Sequence, residues 1–529
     1  MPHVTTRVPL TVVAALVLAP AVSVFAQSGQ AVRQAASTQP PPTVRRITVD
    51  EAVKLALEQN LGIQVERVNP RIQDVAIAQA RSLWTPTVSS TLSNNSANQP
   101  PTSSLAGSQT KVTDSRFSTE IAVAQTLRTG ANYNVAWDSS RAKSTNLFNT
   151  FDPVLRSNVS LNFTQPLLRG FKIDSIREQL AVSRKDRDAA DLQLQSTIVA
   201  TTRNVKNAYW ELAYQIASLN AAQQSLDLSK RVLGDNEKRV QIGTMAPIDI
   251  VEAQSEVARN EESVIVAEAA IKRAEDSLRA LIYDPSSPDF WNIQIEPNET
   301  GAFTAQSVDA AAAVQRALGN RLDVKLAKNN LQRTDINVRF YQNDMLPSVN
   351  AQATFNTAAV GGAQLQQVSF QDIAAGIAQR NVIAQRSFGS VLGDVISSAY
   401  PTWTVGVTVS YPVGTSTAET NLARSKLQYE QGERQLKNLE LQVATEVRDL
   451  ARQVETNQKR VDTTRAAREL AERRLDAAEK KFAAGIETNF FVFQAQRDLA
   501  QARTNEVRAI SDYNKSLVDF EAVQEAPLR

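Results

Sequence analysis

A glycine turn between two long proline-free segments occurs twice in this chain, and the two turns are 242 residues apart. The first turn, at Gly243, is followed by Ile248-Asp249-Ile250-Val251-Glu252-Ala253-Gln254. The second, at Gly485, is followed by Phe490-Phe491-Val492-Phe493-Gln494-Ala495-Gln496. An internal repeat of this length indicates an architecture in which one helical hairpin unit is used twice.

Matched segments upstream of the turns extend the repeat over most of the chain. Val49-Asp50-Glu51-Ala52-Val53 matches Val308-Asp309-Ala310-Ala311-Ala312. Trp84-Thr85-Pro86-Thr87-Val88 matches Met345-Leu346-Pro347-Ser348-Val349, and Gln165-Pro166-Leu167 matches Tyr411-Pro412-Val413. We therefore predict repeat one at residues 47–290, a linker at 291–306 and repeat two at 307–525. The matched order favours one body made of two like units over two separate domains.

The first 46 residues have the pattern of a targeting segment and a leader. Arg7 precedes an apolar stretch from Val12 to Val24, and Val24-Phe25-Ala26 fits a cleavage site. Residues 1–26 are therefore expected to be a secretory signal peptide. An uncleaved membrane anchor is the alternative, although the apolar stretch is short and contains Pro20. Residues 27–46, which include three consecutive prolines, are expected to be a disordered leader.

Cysteine is absent from the sequence, and the single histidine is His3 in the predicted signal peptide. The mature chain therefore lacks disulfides, thiolate metal sites and the commonest acid–base residue. No paired-carboxylate or glycine-rich phosphate motif stands out, so we predict a protein that is not an enzyme and needs no metal or cofactor. The 57 basic and 55 acidic residues are mixed along the chain, which argues against a nucleic-acid partner.

Two helical hairpins are predicted, at residues 172–283 and 416–525. Apolar residues step by three, four or seven along the first helix of each hairpin, which is the pattern of a packed seam. The seam of repeat one comprises Ile198, Val205, Tyr209, Leu212, Ile216, Leu219 and Leu226; that of repeat two comprises Leu436, Leu439, Val443, Val447, Leu450, Val454 and Val461. A helix of about 65 residues would be roughly 100 Å long. Such a rod suits a spacer across a compartment, and a generic coiled coil is the alternative.

Four segments alternate between apolar and small polar residues, at about residues 86–97, 157–166, 347–357 and 402–412. The clearest one places Trp403, Val405, Val407 and Val409 opposite Thr404, Gly406 and Thr408. Segments of about ten residues with this pattern are typical of transmembrane β-barrel strands. After Ala26 no run approaches the roughly 18 apolar residues of a membrane helix, so a membrane location would require a barrel. Because four strands cannot close a barrel, copies of the chain would have to share it.

Three motifs make the chain resemble the TolC family of outer-membrane efflux ducts over nearly all of the mature sequence. They are Asn207-Ala208-Tyr209-Trp210-Glu211-Leu212, Gln165-Pro166-Leu167-Leu168-Arg169-Gly170, and the two glycine turns with their Ala-Gln pairs. The resemblance implies long coiled-coil hairpins forming a periplasmic α-barrel, and strands contributing to a trimeric β-barrel in the outer membrane. It also implies passive export as the exit duct of a tripartite efflux or type I secretion system. The implied partners are a periplasmic adaptor and an inner-membrane pump.

In that family the hairpin tips close the periplasmic entrance, and acidic residues after the turn ring the constriction. The resemblance therefore makes Asp249, Glu252 and Gln494 candidates for a periplasmic gate. Repeat two departs from the family pattern, because Phe491 replaces the aspartate. Acids in the first turn of a helix also stabilise its N-terminus, and this role is compatible with gating. Candidate turn residues and adaptor contacts are Gly243, Thr244, Gly485, Glu487 and Thr488.

An additional hairpin at residues 117–138 has no counterpart in repeat two. One arm alternates through Phe117, Ile121 and Val123, Thr129-Gly130 supplies a tight turn, and the other arm alternates through Tyr133, Val135 and Trp137. If both arms join the wall, a trimer has eighteen strands instead of the twelve of the usual family pattern; the alternative is a hairpin outside the membrane. In repeat two, the insert at 357–401 is expected to contain a short amphipathic helix, with a mobile loop as the alternative.

Two other classes of function are compatible with long helices. A periplasmic coiled-coil adaptor or scaffold would lack the paired amphipathic strands. A carboxylate-dependent hydrolase on a barrel would show clustered acids in the loops at strand ends. The amphipathic strands therefore favour the exit duct.

Overall fold

The computed structural model describes residues 43–100, 111–146, 149–299, 303–369, 371 and 380–524. The predicted signal peptide and the predicted leader up to residue 42 lie outside the described residues. Within them, long helices and one large antiparallel sheet make up most of the chain.

Both repeats contain short helices followed by a long helical hairpin. In repeat one they are α1 (Val49–Gln59), α2 (Leu61–Glu66), α3 (Asn69–Ser82), α4 (Ser175–Gln241) and α5 (Ile248–Ile282). In repeat two they are α6 (Ala310–Asn320), α7 (Leu322–Asp344), α8 (Phe388–Ile396), α9 (Thr417–Ala483) and α10 (Asn489–Gln524). Helices α4 and α5 form the first hairpin, and α9 and α10 form the second hairpin.

The two hairpins are nearly equal in size. Helices α4 and α9 each contain 67 residues, which corresponds to a length of roughly 100 Å. Each begins at a polar N-cap: the Asp174 carboxylate accepts the Arg177 N–H at 2.7 Å, and the Ser416 hydroxyl accepts the Glu419 N–H at 3.1 Å. These caps fix the starts of the two long helices at Ser175 and Thr417.

Apolar seams hold each hairpin together halfway along its long helix. In the first hairpin, Val205, Tyr209 and Leu212 of α4 pack with Leu278 and Ile282 of α5. The second hairpin has an equivalent core, formed by Val443, Val447, Val454, Val461, Ala509 and Tyr513. The predicted seams thus supply most of the buried apolar residues of α4 and α9, as burial of one helical face requires.

In each hairpin, the hydroxyl of a buried tyrosine forms hydrogen bonds with the backbone of an adjacent extended segment. The Tyr209 hydroxyl donates to the Ile47 carbonyl at 3.1 Å and accepts the Glu299 N–H at 3.1 Å. The Tyr513 hydroxyl donates to the Thr304 carbonyl at 2.9 Å and accepts the Gln306 N–H at 3.1 Å. Both phenols therefore use their polar group fully while the ring fills the core.

The large sheet is antiparallel and belongs to one chain. Its strands are β2 (Thr87–Gln99), β3 (Val112–Thr126), β4 (Asn132–Ser144), β5 (Phe151–Pro166), β7 (Ser348–Leu365), β8 (Val382–Arg386) and β9 (Pro401–Ser410). The order is β2-β3-β4-β5-β7, and β8 and β9 share the remaining side of β7. The additional hairpin of repeat one therefore lies inside the sheet, as β3 and β4.

Several strands extend beyond their predicted ends. The segment predicted at 157–166 begins at residue 151, the one predicted at 347–357 continues to residue 365, and the hairpin predicted at 117–138 spans 112–144. Beyond the apolar band the strands contain residues such as Arg141, Asp152 and Gly361. The alternation of apolar and polar residues stops there, while the backbone pairing continues. Alternation in sequence marks only the part of a strand that has one apolar face.

A small parallel pair corrects two predicted boundaries. Strand β1 (Thr43–Ile47) pairs with β6 (Ile293–Pro297), although residues 43–46 were predicted as leader and 291–306 as linker. The Ile47 side chain is 1% exposed in the core of the first hairpin, and the Arg46 Nε lies 3.1 Å from the Glu296 Oε2. Burial of Ile47 and Ile295 gives these short segments enough contact to be ordered strands.

Helix α8 lies in the predicted insert at 357–401. Val391 and Val395 pack on Ala359, with Leu155 and Val159 at the edge of the contact. The expected short amphipathic helix is therefore present and packed on the sheet, while residues 370 and 372–379 of the insert lie outside the described residues. Among the helices that the structure describes, none combines the length and apolarity needed to cross a membrane.

Candidate functional site

The two glycine turns share one backbone geometry. Gly243 and Gly485 have positive φ angles of 80° and 72°. In the first turn the Thr244 N–H donates to the Arg239 carbonyl at 2.9 Å, and in the second the Ile486 N–H donates to the Lys481 carbonyl at 2.9 Å. These bonds across five residues, with glycine in the left-handed region, form the Schellman motif that ends a helix. The predicted equivalence of the two turns therefore extends to individual hydrogen bonds.

Side chains reinforce each turn differently. The Thr244 hydroxyl adds a second bond to the Arg239 carbonyl at 3.0 Å. In the second turn the Glu487 carboxylate accepts a 2.7 Å bond from Lys481 Nζ, and Thr488 is exposed beside it. Thr244 and Glu487 thus form local bonds that fix the turns, and Thr488 is exposed at the second turn.

The candidate acids lie on the helix that leaves the first turn. Asp249 is in the first turn of α5, which begins after Pro247, and no side chain caps this end. Asp249 is half-buried and Glu252 is exposed. Asp249 therefore lies where an acid stabilises a helix N-terminus, and Glu252 is accessible to solvent; both residues remain candidates for the gate.

Gln494, the third gate candidate, lies in a more apolar setting. It is half-buried on α10, between the buried Phe493 and Ala495. The Phe490 and Phe491 rings meet edge to face with centroids 5.7 Å apart, and both are largely exposed. The tip of the second hairpin therefore presents aromatic rings at the positions where the first hairpin presents Ile248 and Asp249.

The two tips lie side by side in one protomer. The Arg239 guanidinium stacks over the Phe482 ring, 4.7 Å from its centroid. Deeper in the pair, Leu228 of α4 packs against Leu475, Val492 and Leu499 of the second hairpin. The ends of α4 and α9 and the starts of α5 and α10 carry the candidate residues. These four segments therefore lie together at one end of the molecule, as the repeat predicts.

Polar residues that the sequence reasoning missed are buried near this end. We call Asn236, Glu256, Asn489 and Gln496 the polar seam; their exposed fractions are 1%, 5%, 3% and 8%. The Asn236 Nδ2, the Gln496 Nε2 and both side-chain polar atoms of Asn489 have no hydrogen-bond partner among the described residues. Asn236 stands seven residues after Ser229, which is also buried on α4, and the predicted seam included neither residue.

Glu256 is the charged member of the polar seam. Its Oε2 lies 3.3 Å from the Arg259 Nη1 on the same helix and 3.6 Å from the Arg497 Nη1 on α10. These residues line a groove of about 610 Å³ between the first hairpin and α10. The ion pairs link the hairpins across the groove, and the buried carboxylate requires them.

A match to a protein-family model identifies the family of this chain. A model of the family described as "Outer membrane efflux protein" matches residues 52–282 and 313–523. The chain belongs to the outer membrane efflux protein family. The two matched segments correspond to the two repeats, each ending in a long hairpin.

Solved structures of outer-membrane channels share the fold. The channel OprN has a TM-score of 0.64 at 16% identity, covering 90% of this chain and 89% of that chain. CmeC of Campylobacter jejuni has a TM-score of 0.62 at 14% identity, with 96% and 94% covered. VceC of Vibrio cholerae has a TM-score of 0.61 at 16% identity, with 91% and 97% covered. No curated protein sequence is significantly similar to this chain.

Three predictions are confirmed by these comparisons: the resemblance, the fold class and the function as an outer-membrane exit channel of a tripartite efflux system. The family and the similar structures are channel proteins rather than enzymes. The alternative of a periplasmic adaptor is therefore dropped for this outer-membrane efflux protein.

Proposed function

We propose that this efflux channel protein works as a homotrimer that spans the outer membrane and extends through the periplasm. One observation carries the proposal: a single chain joins two hairpins of roughly 100 Å to a sheet with one apolar face and two unpaired edges. An open membrane sheet leaves backbone groups without partners, so other copies must complete it. The hairpins then line the periplasmic part of a common duct.

The domain organisation follows from this arrangement. Residues 1–26 direct secretion, repeat one at 47–290 and repeat two at 307–525 each contribute a hairpin and strands, and the β1–β6 pair fastens the chain start to the junction. A periplasmic adaptor contacts the turns through Thr244, Glu487 and Thr488, and an inner-membrane pump supplies the energy. The duct itself is passive, as the resemblance to the TolC family implies.

Asp249, Glu252 and Gln494 narrow the periplasmic entrance in this proposal. A trimer brings six carboxylates from Asp249 and Glu252 to the turn end, where their summed field attracts cations. Glu256 and Gln496 of the polar seam line the groove between the hairpins, which must separate when the entrance opens. Buried amides without partners make that contact less stable than an apolar one.

Replacing Asp249 and Glu252 together with alanine tests the gate. We expect block by a trivalent cation in planar bilayers to weaken roughly tenfold, the low end of what focused charge produces. The matched control is Glu262→Ala with Glu268→Ala, which removes the same charge farther along α5. If the trivalent cation blocks the double variant and the wild type equally, Asp249 and Glu252 only stabilise the helix and do not form the gate.

Export is tested in cells that lack their own outer-membrane efflux channels. The chain is expressed with its cognate adaptor and pump, and the intracellular level of a fluorescent efflux substrate is measured. We expect accumulation to fall only when all three proteins are present. Accumulation that stays unchanged, with the protein correctly placed in the outer membrane, would contradict the export role.

A further inference from the structure

Two strands at the ends of the large sheet have one unpaired side. Strand β2 pairs only with β3, and β9 pairs only with β7 among the residues that the structure describes. All ten residues of β9 and twelve of the thirteen residues of β2 are exposed. Exposed long edges invite pairing with another chain, and proteins normally cover them.

Apolar and polar residues keep to opposite faces of the sheet from one edge to the other. The ladders place Val88, Val123, Val135, Leu161, Phe355 and Trp403 in one row across β2, β3, β4, β5, β7 and β9. The next row carries Thr87, Ala124, Asn134, Asn162, Thr354 and Thr404 on the opposite face. The added strands β3 and β4 follow the same alternation as their neighbours, as a continuous membrane wall requires.

Two conditions restrict how β2 of one protomer can pair with β9 of another. Apolar residues must meet apolar residues on one face, since a shift by one residue would invert every side chain. All ten residues of β9 must also find partners within the thirteen residues of β2. Only two antiparallel registers meet both conditions: Val409 opposite Val88, or Val409 opposite Ser90.

Both registers give a barrel of acceptable tilt. Within a protomer Val88 is in the row of Trp403, so pairing it with Val409 shifts the register by six residues, and the second register shifts it by eight. The total register shift around a barrel of three protomers is then eighteen or twenty-four residues. With strands about 4.8 Å apart and about 3.3 Å per residue, the strands tilt by about 35° or about 43°. Membrane barrels have tilts of about 35–45°.

We propose that β2 of one protomer pairs with β9 of the next in one of these registers, so that a trimer closes an eighteen-stranded barrel. This inference rests on the proposed trimer, and it counts six strands around the wall because β8 and β9 share one side of β7. The barrel is about 34–37 Å across between backbones, half as wide again as twelve strands at the same tilt. Its membrane part therefore admits cargo larger than a twelve-stranded barrel does.

Engineered disulfides test the pairing directly, because the chain has no natural cysteine. Thr408→Cys is combined with Ser89→Cys for the first register and with Thr91→Cys for the second. All three residues belong to the polar face, and directly opposed strand residues lie within disulfide range. The matched control combines Thr408→Cys with Ser90→Cys, which belongs to the apolar face. Covalent trimers are scored after mild oxidation of intact outer membranes.

The expected result is a covalent trimer from one register pair and at most a trace from the control pair. The β2–β9 closure alone would be overturned if neither double-cysteine variant were cross-linked while the unoxidised protein remained a trimer with channel activity. A monomeric protein without channel activity would instead overturn the proposed function.

Single cysteines in the additional hairpin test the strand count. Ala124→Cys on the polar face should react with a water-soluble maleimide, and Val123→Cys on the apolar face should react at least tenfold more slowly. The same comparison applies to Asn134→Cys and Val135→Cys on β4. Equal rapid labelling of all four would place the hairpin outside the bilayer and return the barrel to twelve strands.

Discussion

Asn236 and Asn489 are almost fully buried near the turn end of the hairpins, and their amides have polar atoms without partners among the described residues. Such atoms cost roughly 1–3 kcal/mol each when they are left unpaired. A contact meant to be permanent would use apolar residues, as Val205 and Leu212 do farther along α4. The polar seam is therefore suited to a contact that must also separate.

Asn236→Leu should strengthen the closed tip. Leucine has a similar size and no polar atom to desolvate, so we expect a higher thermal midpoint and a lower open probability in single-channel recordings. Gln254→Leu, at an exposed position of the same hairpin, is the matched control and should leave both unchanged. A lower thermal midpoint for Asn236→Leu would show that the amide has a stabilising partner in the native protein.

The glycine turns and the polar seam illustrate how far sequence reasoning reaches for single residues. The repeat predicted that Gly243 and Gly485 end their helices, and their positive φ angles agree with that role. The polar seam was not predicted, because burial of a lone asparagine on a long helix depends on which neighbouring helix covers it. Leu228 on the same helix, for example, packs against Leu475, about 250 residues away in sequence.

Contacts between α4 and α10 join the two hairpins through charged side chains. Glu211 of α4 forms an ion pair with Lys515 of α10, and Gln215 donates a 2.6 Å hydrogen bond to the same carboxylate. Burial acts to raise the pKa of Glu211, but the bonds from Lys515 and Gln215 outweigh it and lower the pKa below its ordinary value of 4.5. The carboxylate therefore binds its proton less readily in the folded protein than in the unfolded chain.

Glu211→Gln should reduce the pH dependence of stability. Because the folded pKa is lowered, Glu211 stabilises the fold above pH 4.5, and this contribution is lost as the pH falls through the lower folded value. We expect the thermal midpoint of the wild type to fall more steeply below pH 4.5 than that of the variant. Glu262→Gln, an exposed change on α5, serves as the control. Identical slopes for wild type and Glu211→Gln would contradict the assigned ion pair.

Helices and strands were predictable where one face is apolar over many residues. The heptad steps of α4 and α9 and the alternation of β9 gave their positions to within a few residues. The β1–β6 pair was missed because its strands have five residues each and lie 250 residues apart. Short parallel strands give little periodicity, and their partner cannot be read from local sequence.

In the proposed trimer the two faces of the sheet have different surroundings, lipid on the apolar face and water on the polar face. Val405 belongs to the apolar face and its neighbour Thr404 to the polar face. Val405→Arg should cost about 2–4 kcal/mol near the bilayer midplane, whereas Thr404→Arg places the same side chain in water. We expect Val405→Arg to lower the yield of membrane-inserted trimer and Thr404→Arg to assemble normally with altered ion selectivity.

Heat-modified mobility on gels and planar-bilayer reversal potentials measure these two outcomes. The variants differ by one position and carry the same new charge, so each controls for the other. Equal assembly of both proteins would show that this face of β9 does not contact lipid.

The β1–β6 pair also fixes where the described part of the chain starts. Ile47 accepts its hydrogen bond from Tyr209, which is the thirty-fifth of the 67 residues of α4 and so lies about 50 Å from either end of that helix. In the proposed duct, a polypeptide fused ahead of Thr43 would therefore emerge near the middle of the long helix, away from both of its ends. This position makes the N-terminal segment an attachment point for tethers, labels or anchors that leaves transport undisturbed.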